Sequence, residues 1–138
     1  STCVEVNQLR QSCSLQVETL CGIDPQACSR PMSKAALDKA KQNMKDYAQV
    51  GGIMYVGIME RMQESLQFLE RLLPTYLEGM ANLDLTLLPR HRQGSSPRRE
   101  KAFSLPLQNI LDDICYWDNQ LYEFADRLLT QRLNKCGV

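Results

Sequence analysis

Histidine is nearly missing from this chain, and what chemistry it could support shrinks accordingly. The only one, His91, lies in a polar stretch rather than on a periodic segment. A Ser-His-Asp or Cys-His site needs its histidine held by a rigid shell, which such a stretch does not promise. Di-iron bundles need paired E-x-x-H motifs on facing helices, so that class is excluded. No two cysteines stand in C-x-x-C spacing, which removes zinc ribbons and thioredoxin-like redox motifs. No G-x-S-x-G, P-loop, G-x-G-x-x-G or EF-hand pattern is present. No apolar run approaches ~18 residues, so no membrane-spanning segment is expected. N-x-S/T sequons are absent, and there is no internal repeat or useful strand-period segment. Lys+Arg and Asp+Glu both total 16, leaving no net field to attract nucleic acid. Asp112 with Asp113 and Glu60 with Glu64 fall on polar arcs and read as solvated faces rather than acid/base pairs. No cofactor and no catalysis are expected.

Against those absences stand an even number of cysteines and strong helical periodicity. The chain has 138 residues and is expected to form one helical domain, 1–138, interrupted by a mobile loop at about 89–104. That loop carries Arg90, Arg92, Arg98, Arg99 and Lys101 against Glu100 alone. It reads as a solubilising linker, a contact for a polyanion or acidic partner, or a processing site at Arg98-Arg99.

Residues 107–136 form the organising stretch. Leu107, Ile110, Ile114, Trp117, Leu121, Phe124 and Leu128 recur at threes and fours along one helical seam. Leu111, Cys115, Tyr122, Leu129 and Leu133 make a second stripe about 100° away. Such a helix needs neighbours on two sides. Ser104 and Pro106 open it, and acids early with bases late suit its dipole. Tyr116 sits on the polar arc near Asp112, Asn119 and Glu123. An aromatic in that position is a candidate protein contact, the plainer reading being a single exposed ring.

Ahead of it, Val6, Leu9, Cys13, Val17 and Leu20 predict a first helix from Thr2 or Ser1 to about Leu20, ended by Gly22. Ser33 is a fair N-cap for a second helix with Leu37, Ala40, Met44, Tyr47 and Ala48 inward. Met54/Tyr55, Ile58, Met62, Leu66, Leu69 and Leu73 then follow without loss of phase. Gly51 and Gly52 either break this pattern or are crossed at roughly 1 kcal/mol each relative to Ala; the kept phase favours one continuous or kinked helix. Pro74 stops it near Leu73, and Thr75 caps a shorter helix to about Leu87. The middle-helix methionines read as core filling, or as an adaptable groove for apolar ligands.

The cysteines at 3, 13, 21, 28, 115 and 136 predict three disulfides in an oxidising compartment. The opening residues lack a signal segment, as a mature secreted chain would after processing. Within one helix Cys13 and Cys21 would lie ~12 Å apart, too far to bond. Cys3 with Cys21, and Cys115 with Cys136, each share a helix side. Two antiparallel helices with matching ladders then suggest Cys3–Cys136 and Cys21–Cys115, leaving Cys13–Cys28. The expectation is an all-α, disulfide-stapled, four-helix-type bundle with antiparallel first and last helices.

In helix count and disulfide style that plan resembles the helical cytokines. The resemblance implies a secreted signalling ligand whose exposed helix faces bind an extracellular or cell-surface receptor. Two other functions fit the same residues: an extracellular carrier of lipid or another hydrophobic small molecule, and an ectodomain fragment used in cell–cell or gamete adhesion.

Overall fold

Cys13 and Ser14 form a turn, at a place where the sequence predicts uninterrupted helix. The computed structural model describes residues 13–46, 55–84 and 105–137, and the expectations for Cys3, Tyr47, Ala48, Gly51, Gly52, Leu87, His91 and the 89–104 loop lie outside them. Among the described residues the chain is mostly helical, with no strand. Helix α1 spans Leu15–Cys21 and buries Val17 and Cys21. Gly22 ends it at φ 94°, donating its N–H to Glu18 O, as a glycine after a helix can and a side-chain-bearing residue rarely does.

Helix α2, Lys34–Asp46, starts where expected: Ser33 Oγ accepts the Ala36 N–H at 3.3 Å. It buries Ala36, Leu37, Ala40 and Met44, the face set by steps of three and four. Asn43 joins α2 to α1 by donating to the carbonyls of Leu20 and Cys21, each at 2.9 Å.

The helix expected to continue in phase to Leu73 does not do so. Residues 55–58 are not helical, and Ile58 is extended at φ −112°, ψ 123°. Burial alternates there: Val56 and Ile58 are inside, Gly57 outside. Tyr-Val-Gly-Ile fits a two-residue period as well as a helical one, and β-branched side chains favour the former. A 3-10 turn, Met59–Arg61, leads into α3, Met62–Leu72. Buried Ser65 of α3 completes the arrangement. Its hydroxyl accepts the Ile58 N–H at 2.9 Å and donates to the Ile58 carbonyl at 3.1 Å. A Ser65→Ala variant should lose roughly 1–3 kcal/mol in urea unfolding, because both backbone groups are then buried without a partner.

Pro74 does stop the helix, but Leu73 rather than Thr75 takes the cap position. Helix α4 runs only Pro74–Leu77 before Gly79 turns at φ 83° into a 3-10 turn, Met80–Asn82. The Glu70 carboxylate draws this stretch back by accepting the N–H groups of Gly79 (2.9 Å) and Ala81 (2.8 Å). Those two bonds hold its pKa below the usual value.

The final helix is divided. Helix α5, Leu105–Ile114, precedes α6, Tyr116–Cys136, and Cys115 leaves helical geometry at φ −95°, ψ 14°. Bonds from Cys115 N–H to Leu111 O and from Asn119 N–H to Cys115 O carry the chain across the break. Helix α6 packs against α1, α2 and α3 and is the shared rod of the core. Its buried line is Leu121, Ala125, Leu129 and Leu133, flanked by half-buried Trp117, Phe124 and Leu128. Burial therefore falls between the two expected stripes, centred on Ala125. In α5, Leu105 and Ile110 are exposed, whereas Ile114 at its end is buried.

Two disulfides correct the expected ladder. Cys13 bonds Cys115, and Cys21 bonds Cys28, with Cα separations of 4.7 and 5.7 Å. Neither Cys21–Cys115 nor Cys13–Cys28 forms. The expectation placed Cys13 inside a helix; in the turn before α1 it reaches Cys115 instead. The bond ties the start of α1 to the start of α6, so the rung that would have set those helices antiparallel is gone. Cys136 is exposed and bonded to no described cysteine.

A second link crosses the same corner. Asp118, in the first turn of α6, accepts the N–H groups of Gln16 (3.2 Å) and Val17 (3.0 Å) and so caps α1 from outside its own sequence. Asp118→Ala should cost about 1 kcal/mol in thermal unfolding, the usual worth of an N-cap.

Candidate functional site

Two surfaces hold the residues on which function was expected to rest. The first follows the junction of α5 and α6. Asp112, Tyr116, Asn119 and Glu123 are all exposed there, at steps of four, three and four. Tyr116 is 49% exposed, with its ring edge-on to Trp117 at a centroid distance of 4.9 Å. Trp117 packs against the core, so it fixes the tyrosine ring while leaving one face open. The surface is acidic and aromatic.

The second surface is a groove of about 410 Å³ between α1, α2, residues 55–60 and α6. Met44, Val56, Ile58, Leu121 and Ala125 form its floor, all buried. Gln16, Gly57, Met59, Glu60 and Tyr122 form its exposed rim. Tyr55 walls one side and stacks on Phe68, with centroids 6.2 Å apart. Its hydroxyl closes over Gly57, where an added Cβ would come within 2.5 Å of that oxygen. Glycine is thus what lets the Tyr55 ring lie back along the groove wall.

Polar contacts hold the rim in place. The Tyr122 hydroxyl donates to Glu60 Oε2 at 2.9 Å. Arg61 spans to α6, donating to Asp126 Oδ1 and Thr130 Oγ1 at 2.7 Å each, and also grips Glu64. Bonding to these carboxylates raises the Arg61 pKa, chiefly through Glu64, and lowers that of Glu64. The bond to Glu60 raises the Tyr122 pKa, with desolvation and the nearby negative charge acting in the same direction.

The sequence placed Tyr122 in an apolar stripe and Glu60 on a solvated arc, and so missed their pairing. Tyr122 lies at the middle of its stripe, so nothing in the periodicity marked it for a polar partner. Of the methionines suspected of lining a groove, Met44 and Met59 do so. A second hollow of about 380 Å³ lies beside Gln67, Glu70, Arg71 and Pro74, and there Glu70 serves the local turn. Among the described residues no group of three or more His, Cys, Asp or Glu could hold a metal ion, and no helix is long and apolar enough to cross a membrane.

No family model, curated protein or solved structure matches this chain. Function therefore rests on these surfaces alone.

Proposed function

We propose that this chain is a secreted, non-enzymatic recognition module of four-helix-bundle type that binds an extracellular or cell-surface protein through the Tyr116 face. The observation that supports it most is Tyr116 itself: a half-exposed aromatic held by Trp117 and flanked by polar groups at helical spacing. An ordered aromatic with a polar surround gives a partner contact area at low entropic cost. The two disulfides are compatible with an oxidising extracellular setting. Signalling in the manner of a helical cytokine, and a polyanion contact through the 89–104 loop, belong to the same proposal. A Cys3–Cys136 bond, with antiparallel packing of the first and last helices, belongs to that proposal as well.

A cell-surface interaction screen with the oxidised protein, followed by titration of each hit, tests the reading. Tyr116→Ser should weaken a genuine partner roughly tenfold or more without lowering the melting temperature. Binding unaffected by this substitution would move the contact off this face.

One observation favours a second reading, a carrier of an apolar small molecule. The groove's volume is within the ~300–1,000 Å³ range of ligand pockets, and its floor is apolar. Saturable displacement of an apolar dye at about one site per chain would support it.

A further inference from the structure

Apolar volume says little about what a groove prefers; the charge on its rim says more. Among the described residues lining the groove none is a cation, and the one charged group among them is the Glu60 carboxylate. Arg61 is the next residue along, but its guanidinium is directed to Glu64, Asp126 and Thr130. Two carboxylates already answer its single charge. Glu60 instead accepts the Tyr122 hydroxyl, which orients the carboxylate at the rim. The rings of Tyr122 and Tyr55 lie on the same opening.

A fatty acid entering here would bring its carboxylate against Glu60 and be repelled. A neutral alcohol would gain only the floor. A primary alkylammonium would bury its chain on Met44, Ile58 and Leu121 and set its head against Glu60, where charge-assisted hydrogen bonding favours a cation. We infer that the groove between α1, residues 55–60 and α6 binds amphiphiles with a cationic amine head and a single apolar chain of medium length. This rests on the carrier reading and specifies its ligand class.

Dodecylamine, dodecanol and dodecanoate share a chain and differ in head charge, so they separate the terms. Their affinities for the oxidised full chain, measured at neutral pH below micellar concentrations by displacement of a neutral apolar dye, should fall in that order. The amine should bind roughly tenfold tighter than the alcohol, an advantage that shrinks with added salt. Glu60→Gln should bring the amine to the alcohol's affinity and leave the alcohol unchanged. Glu60→Lys, at an exposed position where folding is not at stake, should reverse the order and favour dodecanoate. Saturable dodecanol binding with no amine preference would overturn the inference and leave the carrier reading standing. An amine preference that persists in Glu60→Gln would overturn it as well. If none of the three saturates, both the inference and the carrier reading fall.

Discussion

A Cys13→Ala/Cys115→Ala double variant is expected to melt roughly 15–20 °C below the parent protein. The bond closes a loop of 102 residues, the sequence separation of its two ends. In the chain-entropy model a loop of this length is worth about 4.7 kcal/mol. At this chain size each kcal/mol shifts the melting temperature by about 4 °C. The Cys21–Cys28 bond closes a loop of only seven residues, and its loop-closure share is about half as large. The consequence reaches beyond stability. Cys13–Cys115 and the Asp118 cap hold the same corner, so the double variant should also show faster amide exchange at Gln16 and Val17. Calorimetry with hydrogen exchange on the oxidised proteins checks both expectations.

Leu129→Ala is expected to destabilise by about 3–4 kcal/mol in urea unfolding, whereas Ile110→Ala should change little, within about 0.5 kcal/mol. Both residues belong to stripes of similar strength in the sequence, so periodicity alone would rank them together. Leu129 is completely buried and Ile110 is 53% exposed. Truncating Leu129 leaves a cavity between α6 and its neighbours that packed helices cannot fully close. Removing methyl groups from Ile110 takes them chiefly from water. A comparable loss at both positions would mean that α5 is covered to the same depth as α6.

That contrast shows where sequence reading succeeds and where it stops. The Ser33 cap and the inward face of α2 were legible because capping and a 3.6-residue period act locally. The stop at Pro74 was legible because a missing N–H acts locally too. Residues 55–58 were misread because Tyr55 and Ile58 suit either period, and what decides between them is Ser65, seven residues beyond Ile58. The short α4 has the same kind of cause, Glu70 reaching forward to Gly79 and Ala81. The disulfide pairing failed at one premise. With Cys13 placed mid-helix, Cys115 was assigned to Cys21 by the ladder and Cys28 was left for Cys13; in a turn Cys13 reaches Cys115 itself. Of the candidate sites, the exposed positions of Tyr116, Asp112, Asn119 and Glu123 follow from helical phase. The Glu60–Tyr122 pair joins residues far apart in the chain, and no local rule connects them.

The whole arrangement turns on the corner where α1 and α6 begin together. A peptide map of the native protein digested without reduction examines that corner directly. The fold described here requires one linked pair containing Cys13 and Cys115 and another containing Cys21 and Cys28. A fragment joining Cys21 to Cys115 would place the far end of α1 at the start of α6, and would contradict both the corner and the groove built beside it.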